Sequence, residues 1–295
     1  MGRHRKLTQF LSLLIGNLYL LPWRESPIFQ GATKRICFPG LNCYSCPAAT
    51  MSCPLGGLQN ALADFRANLM LGVFHPGAYI IGTLGLIGSV LGRIPCGWLC
   101  PFGLFQEILF ASPFKKIALP RFLRYGPFFF LIFFVILFPL LLVDSLGYGQ
   151  TFFCKYVCPA GTFEAGIPLS IMEKDIRGAI GLLFYYKFTL LIAIVLWCLV
   201  TSRAFCRSIC PLGAIFGLFN RISMVKLRFN KDNCVECKAC YKICPTDISF
   251  FDNIDNINSP ACIRCMKCYK ICPTHSINLV FEPILKENKE NFQEN

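Results

Sequence analysis

The chain has 295 residues, 55% of them hydrophobic and only 15% charged, which is too apolar for an ordinary soluble protein and long enough for two domains. Its formal net charge of +13 is not the footprint of a nucleic-acid binder, because the basic residues are scattered beside apolar segments and make no dense stripe. Nineteen cysteines would mean disulfides in a secreted chain, yet eight fall in two closely spaced four-cysteine runs near the C-terminus, a pattern of reduced thiols, so that end is expected to face the cytoplasm.

Four stretches are candidate membrane spans: residues 7–23, 73–92, 126–143 and 178–202, the last interrupted by Lys187. The first carries Gln9, Ser12 and Asn17, and no small-x-small cleavage site follows it, which favours a span over a cleaved signal peptide. Arg3, Arg5 and Lys6 precede the first span. Arg93, Lys115, Lys116, Arg121 and Arg124 lie between the second and third, and Arg203, Arg207, Arg221, Lys226 and Arg228 follow the fourth. The other two loops are longer and poorer in positive charge, so a multi-pass protein of the cell membrane with both termini cytoplasmic is expected. Gly82, Gly85, Gly88, Ser89 and Gly92 give the second span small faces for close helix packing, and Pro139 is expected to kink the third. The spans contain no Asp or Glu, which counts against a proton pump. Haem is hard to place with only His4, His75 and His275; His75 reads as an interfacial residue and His275 as a surface residue beside a metal centre.

Each span is followed by a Cys-Pro-x-Gly signature: Cys53-Pro-Leu-Gly56, Cys100-Pro-Phe-Gly103, Cys158-Pro-Ala-Gly161 and Cys210-Pro-Leu-Gly213. Three of them extend to C-x3-C-P, through Cys96, Cys154 and Cys206. On the orientation above, the motifs alternate between the two sides, as expected of two repeats over about residues 1–124 and 125–224. If the repeats pack together, Cys96, Cys100, Cys206 and Cys210 supply four thiolates on the cytoplasmic side, enough for one cubane cluster. On the outer side Cys154 and Cys158 would be joined by two of Cys37, Cys43, Cys46 and Cys53. The preferred pair is Cys46 and Cys53, because Cys53 aligns with the repeat. Cys43 with Cys46 is a close rival, since Cys46-Pro-Ala-Ala-Thr50 reads much like Cys158-Pro-Ala-Gly-Thr162. The simpler alternatives are packing cysteines on the inner side and disulfides on the outer. Cys198, alone inside the fourth span, is expected to pack.

Near the C-terminus C-x2-C-x2-C-x3-C-P occurs twice, as Cys234, Cys237, Cys240, Cys244-Pro245 and Cys262, Cys265, Cys268, Cys272-Pro273. Three closely spaced cysteines wrap one cluster while the fourth reaches the other, which predicts crossed ligand sets. Cys234, Cys237, Cys240 and Cys272 would hold one [4Fe-4S] cluster, and Cys262, Cys265, Cys268 and Cys244 the second. A zinc module fits poorly, because zinc sites rarely use two identical four-cysteine runs each closed by proline. Residues 225–281 resemble the bacterial two-cluster ferredoxin domain, with Lys226-Leu-Arg-Phe229 and Ile277-Asn-Leu-Val-Phe281 as pairing strands, and residues 282–295 form a polar tail. The expected fold is thus an α-helical membrane domain of four transmembrane helices over residues 1–224, with an internal repeat, followed by an α+β two-[4Fe-4S] ferredoxin domain. One or two further clusters in the membrane domain would add to the two in the ferredoxin domain.

Four spans, C-x3-C-P motifs at Cys96/Cys100 and Cys206/Cys210, and a trailing two-cluster domain together resemble the NapH-type membrane ferredoxins. The resemblance covers about residues 74–281 and implies an electron carrier linking a quinol pool or a cytoplasmic donor to a redox partner across the membrane. This chain departs from that pattern in its outer cysteines, which favours a direct cluster route outward over quinol oxidation. The expected partners are membrane lipid and redox proteins on one or both sides, with quinol an alternative donor. The rival readings are a quinol dehydrogenase subunit of a periplasmic reductase system and a redox-sensing or assembly factor. No P-loop, dinucleotide fingerprint on a strand or hydrolytic triad occurs.

Overall fold

The computed structural model of the protein describes residues 2–19, 27–74, 77–145, 147–249 and 257–282. Trp23, His75 and residues 283–295, which include nearly all of the expected tail, lie outside them. The described residues are mostly helical, with one two-stranded sheet among them near the C-terminal end.

Among the described residues two helices are long and apolar enough to cross a membrane, Arg121–Leu141 with 21 residues and Leu182–Val200 with 19. The two other expected spans are shorter as helices: Gly2–Gly16 has 15 residues and Ala78–Leu91 has 14. The second of these is cut to length by glycine, because Gly77 (φ 70°) and Gly92 (φ 58°) take conformations that other residues avoid and so bound the helix at both ends. Within Arg121–Leu141 the backbone relaxes into a π-helical stretch, Leu131–Leu137, just before Pro139. A proline ring cannot fit against the carbonyl four residues back, and a wider turn accommodates it.

The Cys-Pro motifs each launch a short helix. Cys53, Cys100, Cys158 and Cys210 all sit at the N-cap in extended conformation, with ψ of 124°, 116°, 112° and 109°. The following proline occupies the first helical position, where its missing N–H costs nothing. Helices Pro54–Ala63 and Pro101–Phe110 have 10 residues and Pro211–Leu218 has 8. Ten residues rise about 15 Å, roughly half of a bilayer's hydrocarbon thickness. The helical part therefore combines longer helices with half-length ones whose N-termini carry the cysteines.

The N-terminal helix turns Arg5, Gln9 and Ser12 inward and leaves Leu7, Phe10, Leu11, Leu14 and Ile15 exposed. It packs on the segments Ile94–Trp98 and Pro101–Phe110. Its anchor is ionic: Arg5 pairs with Glu107, whose other partner is the fully buried Arg203 (Nη2 to Oε1, 2.6 Å), and Arg5 Nη1 also donates to the Gly97 carbonyl at 3.1 Å. Burial works against the charge on Glu107, but Arg203 and Arg5 outweigh it and hold the carboxyl down at about 2.

At the C-terminal end, β1 (Val225–Phe229) pairs antiparallel with β2 (Ile277–Phe281), in register Val225↔Phe281 through Phe229↔Ile277. Leu227 and Ile277 bury their side chains with Cys240, Ile248, Ile257 and Met266 in a small core. Each four-cysteine run bends through left-handed residues at matching positions: Glu236, Lys238 and Asp247 in the first, and Arg264, Met266 and His275 in the second. Such alternation turns consecutive amides toward one point, a geometry suited to an anionic centre. Its recurrence makes the two runs structural copies.

Candidate metal centres

In the C-terminal domain Cys262, Cys265, Cys268 and Cys244 lie close enough to perturb one another. Burial pushes the Cys262 thiol up to about 12, with Cys265 and Cys244 adding to it, and the same neighbours raise Cys268 after burial. Cys240 is raised by burial and then by Cys237 and Cys234. Cys272 goes the other way: burial is outweighed by the Thr274 hydroxyl and by the Ser276 amide, which donates to its sulfur at 3.3 Å. Helices Ala239–Lys242 and Lys267–Ile271 pack together, and Cys244, the fourth cysteine of the first run, sits beside Cys262, Cys265 and Cys268 of the second. His275 is exposed.

The domain is docked on the helical part at the first C-x3-C-P motif. Trp98 Nε1 donates to the Arg264 carbonyl at 3.0 Å, and a Cβ on Gly97 would collide with the Ile263 carbonyl oxygen. Arg93 Nη1 donates to Pro260 O at 2.6 Å, Asn220 Nδ2 to Cys262 O at 2.7 Å, and Arg207 Nη2 pairs with Asp247 at 2.7 Å. The loop carrying Cys262 and Cys265 is thus pressed against the residues between Cys96 and Cys100.

Cys96, Cys100, Cys206 and Cys210 form a buried quartet, each no more than 8% exposed. Burial pushes Cys96, Cys100 and Cys210 up, and the Cys206 sulfur adds to all three. The two halves of the quartet are clasped by reciprocal arginines that sequence reading missed. Arg93, three residues before Cys96, donates from Nη2 to the Cys206 carbonyl at 2.9 Å. Arg203, three before Cys206, donates from Nη1 to the Cys96 carbonyl at 2.7 Å. Gly213 and Gly103 leave room for these guanidinium groups, since a Cβ on Gly213 would collide with Arg93 and one on Gly103 would come within 3.3 Å of Arg203 Nη1. The signature is therefore R-x2-C-x3-C-P-x-G, and the glycine serves the opposite half. Gln106 Nε2 completes the surroundings by donating to Cys206 Sγ at 2.9 Å. Cys198, also buried, lies 3.7 Å from Gln106 Oε1 and packs behind it.

The second gathering of thiols differs from the sequence expectation in one member. A cavity of about 480 Å³ is lined by Cys43, Cys53, Cys154 and Cys158, and Cys46 is not on its wall. The Cys46 sulfur instead lies 3.8 Å from Asn17 Oδ1, because the Cys46 amide closes a tight turn onto the Cys43 carbonyl (3.0 Å) and the chain between them reverses. Burial raises Cys154 to about 12, with Cys53 and Cys43 adding to it, and Cys158 is raised by burial and by Cys154 and Cys53. Cys37 stays outside, bridged to Ser52. None of the nineteen cysteines is disulfide-bonded.

A four-iron cube needs four thiolates held wider apart than the ligands of one ion. Among the described residues no three His, Cys, Asp or Glu side chains form a single-ion site. Four buried thiols with arginines and amides around them, and no carboxylate among the donors, are the set that suits a [4Fe-4S] cluster.

Comparison with known proteins gives the same chemistry. A 4Fe-4S dicluster domain family matches residues 226–273, and a 4Fe-4S binding domain family matches three times, at 74–120, 125–167 and 184–230. Each of those three segments holds one apolar helix and one C-x3-C-P motif, so the similarity repeats per helix, a finer unit than the two halves read from sequence. The chain is 30% identical over 171 residues to an uncharacterised protein of Methanocaldococcus jannaschii, covering 56% of this chain and 64% of the relative. It is 28% identical over 219 residues to the methylamine utilization ferredoxin-type protein MauN of Paracoccus denitrificans (67% and 71%), and 26% over 170 residues to the ferredoxin-type protein NapH of Haemophilus influenzae (54% and 50%). The matched stretch spans 59% and 64% of the lengths of two Methanocaldococcus relatives and half of that NapH. No solved structure matches. With a 4Fe-4S dicluster domain at its C-terminal end and a thrice-repeated 4Fe-4S binding segment before it, this chain is an iron-sulfur electron-transfer protein similar to the ferredoxin-type proteins NapH and MauN.

Proposed function

We propose that the protein is a membrane-bound iron-sulfur relay that passes electrons one at a time between a cytoplasmic donor and an acceptor across the membrane. The observation that carries this reading is the docking of the Cys262–Cys268 run against the Cys96/Cys100 motif through Trp98 and Gly97. Cys262, Cys265, Cys268 and Cys244 would hold one cluster of the dicluster domain, and Cys234, Cys237, Cys240 and Cys272 the other. The quartet Cys96, Cys100, Cys206 and Cys210 would hold a third. A bound [4Fe-4S] cluster supplies reversible one-electron transfer with no bond made or broken. The protein's part is to bury the thiolates, clasp the two halves with Arg93 and Arg203, and exclude water.

Four membrane crossings with both termini on the cytoplasmic side agree with the basic-loop asymmetry and with the exposed apolar faces of the helices. Leu86 of Ala78–Leu91, Phe129 and Ile132 of Arg121–Leu141, and Leu182, Tyr185 and Leu196 of Leu182–Val200 all point outward. Residues 1–224 would be the membrane domain and 225–281 the ferredoxin domain.

Iron and acid-labile sulfide counts on anaerobically purified protein test the third cluster. The relay requires at least about twelve irons per chain, falling by about four in Cys206→Ser; about eight in the parent protein would confine clusters to the dicluster domain. A second reading, quinol oxidation, is favoured by a cleft of about 320 Å³ between the domains. Arg93, Arg121, Arg124, Arg207, Tyr125 and Phe128 line it beside the quartet. Reduction of the clusters by a quinol analogue in membranes would select that donor, and no response would select the cytoplasmic one.

A further inference from the structure

The cavity around Cys43 repeats the quartet at Cys96 in its supporting groups as well as in its thiols. In three of the four Cys-Pro segments the residue six positions after the cysteine is polar and crosses to the opposite side of its site; six after Cys210 stands the buried Phe216 instead. Gln106, six after Cys100, donates to Cys206 Sγ at 2.9 Å. Gln59, six after Cys53, donates to Cys154 Sγ at 3.0 Å and accepts from the Phe153 amide at 3.0 Å. Glu164, six after Cys158, accepts from the Cys43 amide at 2.6 Å. The glycines are reciprocal too: a Cβ on Gly56 would lie 4.0 Å from Cys154 Sγ, and one on Gly161 would lie 3.8 Å from Cys43 Sγ. The Gln59 side-chain carbonyl also accepts from the Cys154 amide at 3.4 Å, as the Glu164 carboxyl does from the Cys43 amide, and Gln59 adds a donor to the sulfur that a carboxylate does not supply. Cys43 is thus the counterpart of Cys154, standing where the other motifs place the first cysteine of C-x3-C-P, at the end of a longer loop. Cys46 has none of these relations.

The two sites also lie close together. A Cβ on Gly40 would be 3.0 Å from Cys100 Cα. The Leu41 amide faces the Cys100 thiol and the next amide, Asn42, faces Cys53. Cys43 follows three residues after Gly40, a separation of at most about 11 Å along an extended chain. That is far less than the ~30 Å of a hydrocarbon core. The quartets expected on opposite sides of the membrane are therefore neighbours in the interior, joined by the segment Gly40 to Cys43.

We infer that Cys43, Cys53, Cys154 and Cys158 form a second four-thiolate [4Fe-4S] site, adjoining the one at Cys96, Cys100, Cys206 and Cys210 and in line with it. The inference rests on the relay reading for the first quartet and extends it by one step. Electrons entering from the dicluster domain meet the first quartet and then the second, each acceptance matched by one release, with the thiolates unchanged. Gln59 and Gln106 are positioning residues that hold the Cys154 and Cys206 sulfurs.

The test uses the full chain, purified anaerobically, with iron and sulfide counting and electron paramagnetic resonance of the reduced protein. The expected counts are about sixteen irons in the parent, about twelve in Cys43→Ser and about sixteen in Cys46→Ser. Two adjoining reduced clusters should broaden each other's signals, and that broadening should vanish in Cys43→Ser. Twelve irons in the parent, unchanged in Cys43→Ser, would overturn the second site and leave the first standing. Eight in the parent would overturn both. Loss of iron in Cys46→Ser but not in Cys43→Ser would overturn the ligand assignment. Should Cys43→Ser prove unstable, Gln59→Leu keeps all four thiols. It should retain sixteen irons and alter one membrane-domain signal only, and an unaltered spectrum would count against the site.

Discussion

The two quartets share a motif but differ in their surroundings. Around Cys96, Cys100, Cys206 and Cys210 stand the buried Arg93 and Arg203, each reaching the other half's cysteine carbonyl. Around Cys43, Cys53, Cys154 and Cys158 stand Gln59, the Lys187 ammonium on the Cys154 carbonyl (3.0 Å), and the carboxyl of Glu164. Positive charge stabilises the more negative, reduced state of a cluster, and nearby carboxylate opposes it. The comparison teaches that one Cys-Pro motif can be set in two different electrostatic surroundings, and if both quartets hold clusters the first is expected to be the easier to reduce.

The most disruptive way to break the comparison is to remove the ionic frame of the first quartet. Glu107→Gln leaves the buried Arg203 without its counter-charge and frees Arg5, a change that should cost about 3–5 kcal/mol. Thermal unfolding in detergent, and release of the N-terminal helix to proteolysis, would read it. The pH dependence has a definite sign. The carboxyl is held at about 2 against an ordinary 4.5, so its stabilisation is complete above about 4.5 and is lost as pH falls toward 2. Between pH 5 and 8 the gap between parent and Glu107→Gln should stay constant; a gap that closes as pH rises would show that the ion pair is not what is being lost.

Smaller effects sharpen the comparison. Gln106→Leu and Gln59→Leu each delete one N–H···S contact and should lower the midpoint potential of one cluster by on the order of 50 mV, Gln106 acting on the first quartet and Gln59 on the second. Redox titration followed by paramagnetic resonance distinguishes them, and identical effects on the same signal would show that the sites are not separate. Smallest of all, Glu164→Gln gives the second quartet the residue type found at Gln59 and Gln106. It should raise that potential by a few tens of millivolts at most and narrow the gap between the quartets.

Much of this was legible in sequence where spacing alone decides geometry. The strand pair was expected at Lys226–Phe229 and Ile277–Phe281 from the resemblance to two-cluster ferredoxin domains, and the structure pairs Val225–Phe229 with Ile277–Phe281; the Cys-Pro helices follow from proline at the first helical position. The choice between Cys43 and Cys46 was not legible, because it depends on a loop reversal between them and on partners more than 100 residues away, such as Glu164. Arg93 and Arg203 read as basic-loop charges when they are in fact buried clasps, a role visible only once R-x2-C is compared between motifs. The four spans were read from hydropathy, which sums apolar residues across breaks. The left-handed Gly77 and Gly92 shorten one helix to 14 residues without making the stretch less apolar. The closeness of the quartets was also hidden, since hydropathy gives the chain an inside and an outside but no depth for a loop that folds back between helices.

Each quartet takes two sulfurs from the chain before residue 125 and two from the chain after it. A ribosome that has delivered only the first part has therefore made two incomplete pairs, neither able to retain a cubane. A cluster in either quartet would therefore have to be loaded after both of its contributing segments have been made.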